Sequence, residues 1–191
     1  MRTAKTKRKT LETSVTVEVK LDGEGRNLCE TGIKYLDHML TTLSKHSLID
    51  LTVKATGDLR HHVVEDVAIT IGETISKALE DRAGIVRFGF ASVPMDDALA
   101  AVSLDLVKRP YSVIDLKLQH ESIEDMLNDD IQHFLQSFTQ SLEATIHIRA
   151  DYGEDDHHKV EAAFKALALS LRQAITVDPR RKTPPSAKGV M

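Results

Sequence analysis

Two segments of this chain are near copies of each other: His61-His62-Val63-Val64-Glu65 and His157-His158-Lys159-Val160-Glu161. Each sets two adjacent histidines and a glutamate within five residues. Each also has a histidine upstream at a matching distance, His38 at 23 residues before His61 and His133 at 24 before His157. Six of the nine histidines fall into this doubled pattern, so the chain reads as one half-domain of about 90 residues used twice. A unit of that length is too long for a solenoid repeat. It points instead to two half-domains packed as a pseudo-twofold pair.

The flanking patterns agree. Val15, Val17, Val19 and Leu21 alternate with polar residues, as in a half-buried strand. Asp22-Gly-Glu-Gly25 is a turn, and a second strand is expected near 26–33. A helix over Leu36–His46 carries His38, a strand covers Asp50–Ala55, and a long helix starts at His61. Val64, Val67, Ala68, Ile71, Ile75 and Leu79 give that helix an apolar face. The second copy predicts a strand pair, Ala101–Val107 with Ser112–Leu118, and a helix over Asp130–Leu142 carrying His133. A strand over Thr145–Ala150 and a helix from His157 complete it. Residues 84–94 read as a connector holding a short strand, Val86–Phe90. The fold class expected is therefore α+β. Duplicated ββαβα half-domains, about 9–92 and 93–177, pack their helices against mostly antiparallel sheets. No Pro/Gly/Ser-rich linker separates the copies, so they form a single domain over 1–191. The basic head MRTAKTKRKT reads as a solvated tail, and residues 178–191 as an irregular arm.

Composition narrows the class of function. At 41% hydrophobic and 28% charged residues the chain suits a soluble globular protein, and a net charge of −4 gives no cause to expect nucleic acid or membrane as partner. The single cysteine, Cys29, excludes an intrachain disulfide framework and fits a reducing cytoplasm. No apolar run approaches the ~20 residues of a membrane span.

Histidine and carboxylate are the usual ligands of borderline divalent metals. At about 100° per residue, the first histidine and the glutamate of each HHxxE segment lie about 40° apart, and the second histidine about 60° beyond the glutamate. Adjacent histidines diverge by about 100° and do not easily grip one ion. Each pair is expected to split between two metals, which then draw ligands from both halves or from neighbouring subunits. The candidate ligands are His38, His61, His62, Glu65, His133, His157, His158 and Glu161. A nitrogen-rich set without thiolate admits Mn, Fe, Co, Ni or Zn. A six-coordinate ion keeps positions free for substrate. Arg87, Arg109, Ser186 and Lys188 sit in unusual local contexts and are candidate phosphate partners, since arginine meets phosphate bidentately.

Taken together these residues resemble the imidazoleglycerol-phosphate dehydratase family of histidine biosynthesis over nearly the whole chain. The resemblance rests on Arg8-Lys-Thr-Leu-Glu12-Thr, Leu36-Asp-His38-Met-Leu, Gly57-Asp58, the two HHxxE segments, Arg87-Phe-Gly89, Pro94-Met-Asp96-Asp-Ala-Leu, Arg109-Pro110, Phe164-Lys165-Ala and Ser186-Ala-Lys188-Gly189. It implies a lyase that dehydrates imidazole glycerol phosphate to imidazole acetol phosphate through a metal-bound imidazolate and a diazafulvene-like intermediate. It also implies two Mn2+ per active site, held by the eight ligands above. Arg87, Arg109, Ser186 and Lys188 would hold the phosphate. Lys165, His46 and Asp96 would line the substrate, and Glu12 and Glu161 would move protons. It further implies a homo-oligomer, a hollow 24-subunit particle built from trimers, with active sites between subunits.

The sequence departs from the family pattern in places. The loop Gly57-Asp-Leu-Arg-His61 is short and lacks the Asp that usually precedes the first pair. Lys108 stands where a Gly is usual, Thr42 where a Gln is common, and Ala187 replaces a Ser. Two other readings stay open at this point. One is a dinuclear metallohydrolase, although such sites are richer in Asp. The other is a metal-storage protein, which leaves Glu12 and the arginines without a purpose. A second catalytic domain is not expected within 191 residues.

Overall fold

Valines at every second position build the centre of the first sheet. In β2 (Thr13–Lys20) they face the apolar residues of β4 (Asp50–Gly57), with Val15 opposite Ala55, Val17 opposite Val53 and Val19 opposite Leu51. The computed structural model describes residues 2–188. In chain order the first half runs β1 (Thr3–Lys9), β2, β3 (Asn27–Glu30), α1 (Lys34–Ser47), β4 and α2 (Arg60–Leu79). The second half runs β5 (Phe88–Met95), β6 (Ala98–Asp105), β7 (Tyr111–Asp115), a hairpin of β8 (Ser122–Ile123) and β9 (Met126–Leu127), α3 (Asn128–Leu142), β10 (Thr145–Tyr152) and α4 (Asp156–Ile175).

The sheet orders are β1-β2-β4-β3 and β5-β6-β10-β7. Each has two antiparallel pairs and one parallel pair, in the same places. The fold is α+β and duplicated. The repeating unit has one strand more than the expected ββαβα. The basic head is not a solvated tail: Thr3–Lys9 pairs with β2 along its whole length. Its inward side is Ala4, Thr6 and Arg8, with Thr6 buried, and so gives no apolar alternation. The expected connector over 84–94 likewise holds the edge strand β5, which opens the second half at Phe88. The predicted pairing of the strands on either side of Lys108-Arg109-Pro110 does not occur. β10 lies between β6 and β7, the mirror of β4 between β2 and β3.

The helices form the middle of the molecule. α2 packs on β1 and β2, α4 on β5 and β6, and across the halves α1 meets α4 and α2 meets α3. This crossing decides where the functional groups go, because each HHxxE helix lies beside the short helix of the other half. The packing is close. A Cβ on Gly72 of α2 would sit 2.8 Å from the backbone of Phe138 and Leu142 in α3, and one on Gly89 of β5 would sit 1.9 Å from the Ser170 carbonyl of α4. Gly89→Ala must push β5 off α4, and we expect it to lower stability by about 3 kcal/mol. Denaturant unfolding measures this. An unchanged midpoint would show that the strand moves freely.

The C-terminal arm is irregular, as expected, but it is tied to the second half. Gly84 N–H donates to the Thr183 carbonyl, and Asp178 N–H donates to the Gly84 carbonyl. Residues 189–191 of the arm, including Gly189, lie outside the described residues.

Candidate metal centres and substrate site

The crossed packing produces two clusters. His61 and Glu65 of α2 meet His133 of α3, and His157 and Glu161 of α4 meet His38 of α1. Within each cluster the potential ligand atoms lie within 4.8 Å of one another. Glu161 Oε2 is 3.4 Å from His157 Nε2 and 3.5 Å from His38 Nε2, and Glu65 Oε1 is 3.5 Å from His133 Nε2. Both clusters combine the i and i+4 residues of one helix with a residue of the opposite half.

The second histidine of each pair turns away. Its ring centroid lies 6.3 Å from its neighbour's in the first pair and 6.1 Å in the second. His62 faces Asp58 and Glu12, which stand just before α2 and at the β1–β2 turn. His158 faces Asp96 and Asp97 at the β5–β6 turn. The two histidines therefore occupy matching places at the tips of matching hairpins. Among the described residues, neither His62 nor His158 joins a cluster.

All four pair histidines share one further property. Their Nδ1 atoms each meet a carboxylate: His61 to Asp130 at 2.8 Å, His62 to Asp58 at 2.8 Å, His157 to Glu124 at 3.2 Å and His158 to Asp97 at 2.5 Å. An ionised carboxylate only accepts hydrogen bonds, so each Nδ1 carries a proton, and in the neutral imidazole Nε2 is then the nitrogen with the lone pair. This is how proteins orient metal-binding imidazoles and raise their basicity. The residues present thus fit divalent cations of the borderline class. Asp58 also supplies what the shortened loop lacks directly before the first pair.

Sequence reasoning missed Asp97, Glu124 and Asp130. Asp97 was legible beside Asp96, but Glu124 lies in an unpredicted hairpin. Asp130 stands three residues before His133, a spacing that puts both on one face of α3.

Among the candidate substrate residues, Lys165 donates from Nζ to Glu161 Oε1 at 2.8 Å. Burial pushes the Glu161 carboxyl up, but the bonds from Lys165 and His38 outweigh it and hold the group below the usual range. Glu161 is therefore a carboxylate at neutral pH. Glu12 Oε2 lies 3.8 Å from His62 Nδ1. Asp96 is exposed with φ 46°. His46 sits on the last turn of α1, away from its cluster.

The phosphate candidates are only partly gathered. Arg87 bonds Asp105 bidentately at 2.6 and 2.9 Å and donates to the Pro185 carbonyl at 2.7 Å. That brings the arm's Ser186 beside Arg87, and Lys188 N–H donates to Ser186 Oγ at 3.2 Å. Arg109 contributes its carbonyl to Thr145 at 2.9 Å, and among the described residues its guanidinium makes no ion pair. Arg87 N–H is bonded to the Ala174 carbonyl near the far end of α4. Ala174 is thirteen residues beyond Glu161, about 20 Å along a helix. Arg87 and the His38–His157–Glu161 cluster of one chain thus stand at opposite ends of α4.

The family sequence model described as imidazoleglycerol-phosphate dehydratase matches residues 31–171. Imidazoleglycerol-phosphate dehydratase of Dehalococcoides mccartyi is 47% identical over 191 residues, covering 100% of this chain and 97% of that protein. The protein of the same name from Methanocella arvoryzae is 48% identical over 194 residues, with all of both chains covered. The crystal structure of the Staphylococcus aureus enzyme superposes with a TM-score of 0.85 at 31% identity, covering 92% of this chain and 99% of that one. The Pyrococcus furiosus enzyme, in complex with (S)-C348, gives 0.84 at 38% identity, covering 97% and 100%. The chain belongs to the imidazoleglycerol-phosphate dehydratase family and is an enzyme of the hydro-lyase class.

Proposed function

We propose that this enzyme converts imidazole glycerol phosphate to imidazole acetol phosphate in histidine biosynthesis, in the cytoplasm, with two Mn2+ in each active site. The observation that carries the metal dependence is the set of four Nδ1–carboxylate bonds, which leave Nε2 of each ring as the nitrogen available to a cation. One ion would be held by His38, His157 and Glu161, the other by His61, Glu65 and His133, and His62 and His158 would complete the shells of neighbouring subunits. Bound there, Mn2+ would fix the substrate's imidazole and draw charge from it as a Lewis acid.

The proton to be lost is on a carbon without an adjacent carbonyl and leaves only if the ring takes up the electrons. Glu161, ionised and steadied by Lys165, is placed to hold or return a proton on one side. Glu12 serves the side of His62. Loss of the neighbouring hydroxyl as water gives an enol, which tautomerises to the ketone. The substrate's phosphate would meet Arg87, Arg109, Ser186 and Lys188, while His46 and Asp96 border it. The separation of Arg87 from the His38–His157–Glu161 cluster along α4 supports an active site shared between subunits, hence a homo-oligomer. A 24-subunit assembly of trimers is the form we propose.

Metal-stripped protein supplied with imidazole glycerol phosphate is expected to make product only after Mn2+ is added. Turnover by protein shown by elemental analysis to be metal-free would refute the metal dependence. Absence of product at every metal would refute the reaction.

A further inference from the structure

The two clusters are related by the duplication, but their leading histidines are held by different means. His61 donates a hydrogen bond from Nδ1 to Asp130, which is 3% exposed and shares α3 with the candidate ligand His133. The matching position on α1, three residues before His38, is Tyr35. It offers no carboxylate, and its ring packs against His157 with centroids 5.1 Å apart. His157 turns its Nδ1 to Glu124, in the turn of the β8–β9 hairpin. The first half has no such hairpin. There the chain passes from β3 to α1 through residues 31–33, whereas 116–127 separate β7 from α3.

The hairpin touches the start of both helices that supply this cluster. Ile123 and Met126 anchor it in the core at 5% and 2% exposure. Asp125 accepts the N–H groups of Lys34 and Tyr35, each at 2.9 Å. It thereby caps α1 from 90 residues away, where the N-cap residue Ile33 has no side-chain oxygen to offer. The segment entering the hairpin is bound to the first turn of α4, where Asp156 accepts the N–H groups of Gln119 and His120 at 2.8 Å each. Glu124 itself has φ 50°, in the left-handed region that favours glycine. The chain thus keeps a carboxylate at a position where glycine is less strained, and such strain concentrates at functional sites.

We propose that the β8–β9 hairpin is a positioning clamp for the His38–His157–Glu161 cluster alone. Glu124 fixes the His157 ring and Asp125 fixes the start of α1, so the two cation sites are tuned independently. The proposal rests on the metal-dependent reading above.

Its test is Mn2+ titration of the whole purified protein by calorimetry, for wild type, Glu124→Gly and Glu124→Gln. In Glu124→Gly one class of site is expected to weaken by about 10- to 100-fold while the other keeps its wild-type affinity. Glu124→Gln, which retains an acceptor oxygen, is expected to lose less. Thermal unfolding of metal-free Glu124→Gly should be unchanged or raised, because the strained φ is relieved. Solid-state 15N spectra of the metal-free protein should show His157 losing its fixed Nδ1–H tautomer. Equal weakening of both classes, no weakening of either, or an unmoved tautomer overturns the clamp. Wild-type protein that takes up no divalent cation overturns the metal reading itself, a result distinct from failure of the variants.

Discussion

Glu161→Gln is expected to reduce turnover by at least about a thousandfold and to lower the metal content, while the fold is retained. The carboxylate has three partners in one place: His157 and His38 through Oε2, and Lys165 through Oε1. An amide removes the charge that a divalent cation would need and leaves Lys165 without its ion pair. Glu12→Gln separates the two functions. Among the described residues Glu12 belongs to neither cluster, and the one ion-pair distance of its side chain is to the His62 ring, at 3.8 Å. That variant should lose about a hundredfold or more in kcat with metal content near wild type, the mark of a proton-transfer group that is not a ligand. Steady-state kinetics beside elemental analysis of the same samples checks both. If each variant keeps near-normal turnover, the proton-transfer roles are wrong. If Glu12→Gln loses metal as fully as Glu161→Gln, Glu12 is a ligand in the assembled enzyme and the clusters here are incomplete in a different way.

Much of this was legible in the sequence because its causes are local. Val15, Val17 and Val19 alternate because one face of β2 is buried, and a period of two is visible without a partner. The divergence of His61 from His62 follows from helical geometry, and the structure places the two rings in different surroundings. Other features depend on what lies across the molecule. β1 is a strand because β2 offers it an edge, not because Thr3–Lys9 has an apolar face. Which histidine meets which glutamate follows from α1 packing on α4 and α2 on α3, information absent from either helix alone. The carboxylates behind the histidines come from loops at Asp58, Asp97 and Glu124, where no periodicity marks them. Arg87 reads as a free phosphate partner in sequence. In the fold its guanidinium is already paired with Asp105, and it also holds the arm that carries Ser186.

The other large effect expected is on stability, at the start of α4. Asp156 and Lys159 form an ion pair at 2.6 Å with side-chain exposures of 3% and 1%. Among the described residues the ammonium donates to that carboxylate and to the Lys117 carbonyl at 2.8 Å, and to no other group. Asp156→Ala leaves a buried cation without a counter-charge and two backbone N–H groups without an acceptor, for a loss of about 3–5 kcal/mol. Lys159→Met strands the carboxylate less severely, because Gln119, His120 and its ring still donate to it. The double variant should be nearer in stability to Lys159→Met than to the sum of the two losses, since the pair goes as a unit. The duplication supports this. α2 begins with Arg60 and the buried Val63 at the matching positions and reaches the same geometry without an ion pair.

The pair also sets an acid limit. Burial pushes the Asp156 carboxyl up, but hydrogen bonds from Lys159, from the N–H groups of His120 and Gln119 and from the His120 ring outweigh it and hold it at about 2. A depressed carboxyl contributes its full stability above the ordinary value near 3.8 and loses it as pH falls from there through about 2. Thermal midpoints at one fixed protein concentration, measured for the wild type and Lys159→Met from neutral pH down to that range, should converge as the acid is reached. Strictly additive single-variant losses at neutral pH, or parallel midpoints at every pH, would show that α4 does not depend on this pair for its start.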